Sequence, residues 1–292
     1  MQQHIPPIRY LGVPLYHGRC KISFFDDIIR KVQARVSGWH GLSFGGKRMI
    51  VKHVLASLPI YLLAAASPPR AVIRRLHSIF ARFFWGSNEG NAKHHWLSWS
   101  SLCKPLNEGG VGFRDLNDIY KALKFKLCWT LLHSDGLWAS FLKAKYCEGL
   151  SFDAAKPKTC MSRNWQELLH VRSEFHDKIQ FMLGAGNSGF FITNWSGLGA
   201  LRHFFQPADW RSFNFKRISI QEAFSWGSQL VDVISPLLPA DVLSFLTNVA
   251  LPCIPQSRDR FIWLPDNHGE FSTKSACVAI RGNPQSVTHL QI

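Results

Sequence analysis

The sequence predicts a mainly α fold, a helical bundle followed by a smaller, loosely patterned α+β region with a short hairpin. Three observations carry this reading. Apolar residues recur at helical spacing through the first 150 positions, as in Val72, Ile73, Leu76, Ile79, Phe80, Phe83 and Phe84. Breakers cut the same half into helix-length pieces, among them Gly38, Gly45-Gly46, Pro59, Pro68-Pro69 and Glu108-Gly109-Gly110. Beyond Cys147 the periodicity loosens, and Gly184, Gly186 and Gly189 fall among apolar residues in the manner of a hairpin from Ile179 to Trp195. At 292 residues and 46% hydrophobic content, the chain can bury one large core or two ordinary ones.

The elements follow in order. Ser23, with Asp26 and Asp27 behind it, predicts a helix start, because a hydroxyl caps orphan amides and carboxylates complement the positive end of the dipole. That helix should run to Val36 and stop at Gly38, with Ile22, Phe25, Ile29, Val32 and Val36 inward and Arg30, Lys31 and Arg35 outward. A second helix is expected after Gly45-Gly46, with Lys47, Arg48 and Lys52 outward, ending at Pro59. In the third, Ser67 caps, Pro68 opens the first turn, and Arg70, Arg74, Arg75 and Arg82 decorate the apolar stripe. Residues 86–93 read as a polar loop. Helices over Asn117–His133, carrying Lys121, Lys124 and Lys126, and over Leu137–Tyr146 complete the first half. Later candidates are Trp165–Phe175, Ile218–Gln229 and 240–249.

Charge divides the chain unequally. Residues 1–150 hold 21 Lys/Arg against 8 Asp/Glu, and residues 151–292 hold 13 against 11, so the formal charge of +15 lies almost wholly in the first half. A polyanionic partner fits this surplus. The most apolar stretch, Leu58–Ala66, is too short to span a bilayer, and no membrane partner is expected. Seven widely spaced cysteines, an odd number with no C-x₂-C pair, argue against both a disulfide framework and a zinc site. His94-His95 and the pair His170 and His176 read as surface or packing residues, and the tryptophans as packing. No metal ligand is assigned.

Catalytic constellations are also missing. Phe24-Phe25-Asp26-Asp27 has the spacing of a polymerase carboxylate pair, but two-metal transfer needs a third carboxylate, and the 25 residues before Asp26 hold no Asp or Glu. The acidic first turn of a helix is the preferred reading. Carboxylates after residue 150 are too scattered for a ribonuclease H centre, and the glycines at 184–189 lack the Lys-Ser/Thr ending of a phosphate-cradling loop. No catalytic residue is assigned.

Several runs, taken in order, resemble the region downstream of the palm in plant LINE-type, non-LTR retrotransposon reverse transcriptases. They are Tyr10-Leu11-Gly12-Val13-Pro14-Leu15, Gly38-Trp39, Leu42-Ser43-x-Gly45-Gly46-Lys47-Arg48, Ser57-Leu58-Pro59-Ile60-Tyr61 and Phe83-Phe84-Trp85-Gly86. Trp96-x-x-Trp99-x-x-x-Cys103-x-Pro105 and Glu108-Gly109-Gly110-Val111-Gly112-Phe113-Arg114-Asp115-Leu116 follow, the last being the most specific. Leu183-Gly184-x-Gly186-Asn187-Ser188 and Gly269-Glu270-Phe271-Ser272 are similar to later family elements. The chain departs from the family pattern at Leu106, where a Lys is common, and at Asn194, where an Asp is usual.

The resemblance implies a primer-grip-like element over 1–20 and a basic, thumb-like helical bundle over 21–148. It further implies an α+β linker region over 149–250 and the start of a reverse transcriptase zinc-binding module over 251–292. The catalytic palm is expected before Tyr10 and the zinc ligands beyond Ile292, so Mg²⁺ and Zn²⁺ belong only to full-length members and this chain holds no cofactor. The partners implied are an RNA–DNA hybrid or other nucleic acid and the palm. Candidate binding residues are Tyr10, Gly12, Arg30, Lys31, Arg35, Lys47, Arg48, Lys52, Arg74, Arg75, Lys121 and Lys124. Nuclear residence is implied by the family alone. The sequence also admits a non-enzymatic protein-interaction module and a non-functional relic of a truncated reading frame.

Overall fold

A computed structural model describes residues 8–282 apart from 17, 40, 87–93, 135, 148–151, 154, 215–216 and 249–256. Two antiparallel strands open it, β1 (Ile8–Tyr10) and β2 (Val13–Leu15), paired Ile8 to Leu15 and Tyr10 to Val13. Leu11 and Gly12 close the turn at φ 48° and 79°. Two left-handed residues in a two-residue loop match the twist of the flanking strands.

A 3₁₀ turn, Ile22–Phe25, leads into α1 (Asp26–Ser37). Ser23 therefore lies inside the 3₁₀ turn and does not cap; the dipole at the helix start is met by Asp26 and Asp27. In α2 (Phe44–Ile50) the cap is Ser43, whose Oγ accepts from Gly46 N–H at 3.3 Å, so the glycine pair sits within the first turn rather than before it. The backbone widens to a π turn over Val51–Leu55 before α3 (Ile60–Ala65). Then comes α4 (Arg70–Trp85), which begins after Pro69 with no side-chain cap and ends at Gly86 in the left-handed region, φ 74°. Ser67, the expected cap, is instead buried and accepts a hydrogen bond from Lys124 Nζ at 3.0 Å. Next are α5 (Trp99–Leu102) and α6 (Leu116–His133). The polar loop expected at 86–93 lies, after Gly86, outside the described residues.

The helical stripes converge on one core: Phe25, Ile29 and Val32 of α1, Val51 and Leu55 of the π turn, Val72, Leu76 and Phe80 of α4, and Phe113 and Leu116. Each such side chain contributes roughly 1.5–3 kcal/mol on burial. One helical run among the described residues, Phe44–Ala65 at mean hydropathy 1.4, has the length and composition to cross a membrane. Its inward side, Val51, Leu55, Leu62 and Leu63, belongs to this core.

The second half continues with α7 (Leu137–Leu142), a π turn over Lys143–Cys147, α8 (Arg163–His176) and β3 (Ile179–Met182). Helices α9 (Pro207–Ser212), α10 (Ile220–Trp226), α11 (Ser228–Ile234) and α12 (Ala240–Asn248) follow, then β4 (Arg260–Trp263) and α13 (Thr273–Arg281). A single helix over 218–229 is not formed, because Gly227, at φ 51° and ψ −123°, breaks it into α10 and α11. The expected strand at Ile179 is present, but it pairs with β4, Ile179 opposite Trp263 and Met182 opposite Arg260, and not with residues leading to Trp195. Phe190 and Phe191 turn instead into an aromatic core with Trp195, Phe205, Trp210 and Phe213.

The fold is mainly α with two small two-stranded sheets. The chain divides into two units, residues 1–124 with 276–292, and residues 125–275.

Candidate nucleic-acid interface

In the first unit, the two carboxylates that imitate a polymerase pair are ion-pair anchors. Asp27 is shared by Arg9 of β1 and Arg30 of α1, and Asp26 meets Arg75 of α4 at 3.4 Å. They occupy the first turn of α1, so their geometry is that of a joint between hairpin and helices.

This arrangement sorts the basic residues. Arg30 and Arg75 are committed to aspartates. Arg48 is half-buried, and its Nε donates to Val111 O at 3.2 Å. Lys47 lies 5.9 Å from the centre of the Phe44 ring. Lys121 is half-buried. Lys124 corrects the expectation of an exposed basic face: it is 1% exposed, with its ammonium on Ser67 and 4.9 Å from the centre of the Tyr120 ring. A turn of α6 that faces the core carries it inward. Lys31 and Arg35, one turn apart on α1, Lys52, and Arg74 on α4 remain without a hydrogen bond or ion pair among the described residues. Arg70, not among the candidates, shares the Arg74 face by its i, i+4 spacing and is exposed. Tyr10 and Gly12 stand at the exposed end of the hairpin, with Ile8, Leu11 and Leu15 also uncovered.

The run from Glu108 to Leu116 is structural. A Cβ on Gly110 would lie 1.9 Å from Lys104 O, so only glycine fits there. Gly110 N–H donates to Pro105 O at 3.0 Å and Gly112 N–H to Lys104 O at 2.9 Å, folding the segment tightly on itself. Phe113 then stacks on Trp99, ring centres 5.3 Å apart at 15°. Asp115 Oδ1 accepts from Asn117 N–H at 2.7 Å at the start of α6, and His77 Nε2 accepts from Leu116 N–H at 3.0 Å. Burial lowers the His77 pKa against the opposing charge of Asp115, which agrees with a neutral ring whose Nε2 is an acceptor.

In the second unit, the glycine loop at 184–188 is an anion cradle already filled from within the chain. Asp259 accepts from the amides of Gly184 (2.7 Å), Gly186 (2.9 Å) and Ser188 (2.7 Å). Burial pushes this carboxyl up, but the three amides outweigh it and hold the pKa below the usual carboxylate range. Thiolate chemistry is disfavoured at Cys103 and Cys147, which burial pushes up to about 12 and about 11. Cys253 lies outside the described residues, and among those described no group of three His, Cys, Asp or Glu could hold a metal ion.

No family model matches the sequence. It is 30% identical over 274 residues, 90% of the chain and 44% of the relative, to an Arabidopsis thaliana protein named "Putative ribonuclease H protein". The chain thus spans less than half of that relative. It is also 30% identical over 110 residues, 36% of the chain and 8% of the relative, to the transposon TX1 uncharacterized 149 kDa protein of Xenopus laevis. These likenesses, on a basic helical fold, define a retrotransposon-derived protein. More particularly, the chain belongs to the family of an uncharacterized mitochondrial protein of Arabidopsis thaliana, to which it is 30% identical over 118 residues, 40% of the chain and 77% of the relative.

Proposed function

We propose that the chain is the template–primer-gripping segment, thumb and connection, of a non-LTR retrotransposon reverse transcriptase, without a catalytic site of its own. The observation that supports this best is the set Lys31, Arg35, Lys52 and Arg74, cations with no hydrogen-bond or ion-pair partner among the described residues, on helices whose other faces form the core. A phosphate backbone is read through such groups and through groove shape, without base-edge contacts. Arg30 and Arg75 share their charge with Asp27 and Asp26 and contribute less. The uncovered hairpin of Ile8, Tyr10, Leu11 and Leu15 suits a palm in the full-length protein, and residues 251–292 the opening of a zinc-binding module. Mg²⁺, Zn²⁺ and nuclear residence are attributed to that longer protein.

The test is a salt titration of binding to an RNA–DNA hybrid, in which affinity should fall steeply with ionic strength. A slope near zero would overturn the reading. The name of the Arabidopsis thaliana relative matched over 274 residues favours a second reading, ribonuclease H activity, which predicts Mg²⁺-dependent cleavage of the RNA strand. An intact RNA strand after prolonged incubation with Mg²⁺ would remove it.

A further inference from the structure

Helix α7, in the second unit, turns an uncovered apolar face outward. Leu137 is 90% exposed, Phe141 58% and Trp138 38%. Phe141 stands about one helical turn from each of the others, at i, i+3 and i, i+4 spacing, so the three form one patch. The other side of the helix is fixed: Ala139 is buried, and Lys143 Nζ donates to Ser134 O at 3.1 Å. In the π turn that follows, the buried Tyr146 stacks on Trp165 at 4.7 Å and 18°, and its hydroxyl accepts from Ser162 N–H at 3.2 Å. The patch thus has a firm support, and covering it costs little ordering entropy.

Its edge is basic. Lys145 Nζ lies over the Phe141 ring, 5.6 Å from the centre, and 5.3 Å from the centre of Tyr146, to whose side chain it also hydrogen-bonds. Lys143 and Lys158 both act electrostatically on Cys147, so further cations stand at the same π turn. Over residues 135–163 the sequence holds Lys143, Lys145, Lys156, Lys158 and Arg163 against Asp135, Glu148 and Asp153. Of these carboxylates, Asp153 is buried and paired with His176 at 2.8 Å. A polyanion is the complement of such an edge.

Size narrows the partner further. A stable protein interface takes about 800 Å² and some 20–30 residues on each side, far more than three side chains on a six-residue helix. Membrane binding likewise scales with the apolar area buried. A nucleobase needs only a single ring face, and the phosphate beside it needs one cation. We propose that α7 is a stacking platform for an unpaired stretch of nucleic acid. A base lies on the Phe141 face opposite Lys145, edged by Leu137 and Trp138, and the adjoining phosphate meets Lys145. Every base has such a face, so the platform tolerates sequence. The inference rests on the nucleic-acid-binding reading for the class of its partner. It adds a contact in the second unit, where that reading assigns no residue, and one that a fully paired hybrid cannot use.

The full chain is titrated with a labelled short oligouridylate and, separately, with a blunt-ended RNA–DNA hybrid. Phe141→Ala should weaken the single strand about tenfold while hybrid affinity changes less than about twofold. Phe141→Trp should restore single-strand binding, whereas Phe141→Leu, which keeps apolar area without a ring, should bind as poorly as the alanine variant. Lys145→Ala should reduce the salt slope of single-strand binding by about 0.7. Wild-type single-strand affinity in Phe141→Leu, or equal losses for both nucleic acids in Phe141→Ala, would overturn the platform. So would binding to phosphatidylserine-containing vesicles that Phe141→Ala abolishes while oligouridylate binding is unchanged. A hybrid slope near zero in the wild type, with single-strand binding still dependent on Phe141, would overturn the gripping reading and leave the platform standing.

Discussion

Lys124 shows how a residue's type and its task can part. Its charge suggests phosphate, but the side chain is buried, with its ammonium on Ser67. A buried ammonium surrenders most of its hydration, and an apolar side chain of similar volume can often replace a buried charge at little cost. Lys124→Met should therefore change unfolding free energy by no more than about 2 kcal/mol and leave the salt slope of hybrid binding untouched. A flattened slope in Lys124→Met would contradict this. At His77 the folded pKa is depressed, so its contribution is fully present above the unfolded value of about 6.5 and is lost as pH falls toward the folded value. Melting temperature measured between pH 7 and pH 5 should decline, and His77→Gln should flatten the decline. An identical decline in the variant would rule out His77 as its source.

At the scale of elements, the stripes of α1 and α4 were legible because apolar periodicity reports the face that burial selects. Caps were less so. Ser23 and Ser67 have the right chemistry for a helix start, but a 3₁₀ turn absorbs the first and a buried lysine takes the second, and neither event leaves a local signal. The partner of β3 was invisible for the same reason: β4 lies some 80 residues on, and nothing in the 179–195 window encodes it. The run from Glu108 to Leu116 was readable as a motif but not as a cap and close-packed turn. Gly110→Ala should cost about 3 kcal/mol, because the added methyl meets backbone that cannot move aside without opening the turn. Leu11→Gly should act in the opposite sense, raising stability by about 1 kcal/mol by relieving a left-handed leucine in the hairpin turn. Chemical denaturation of the two variants checks both signs.

For the whole molecule, the surplus of positive charge was evident from the sequence, while its availability was not. Ion pairs with Asp26 and Asp27, the Arg48 bond to Val111 and the burial of Lys124 remove several of the expected cations from use. What remains makes a quantitative expectation. Each phosphate contact contributes a slope of about −0.9 to the dependence of log K on log salt, so replacing Lys31, Arg35, Lys52 and Arg74 together with alanine should reduce the slope by about 3 to 4. The same number of alanines at Arg30, Arg48, Arg75 and Lys124 should reduce it less. Equal losses from both sets would refute the division between committed and available cations.

The Asp259 cradle also has a meaning in time. The amides of Gly184, Gly186 and Ser188 are 71 to 75 positions ahead of the carboxylate that satisfies them. A ribosome adding about 5–20 residues per second delivers that carboxylate roughly 4–15 s after the loop itself. Until then three donors face water and β3 has no neighbour. The second unit is thus one that completes itself late and from its far end, so a chain halted before residue 259 would carry nearly all of its aromatic core and still lack the contact that closes it.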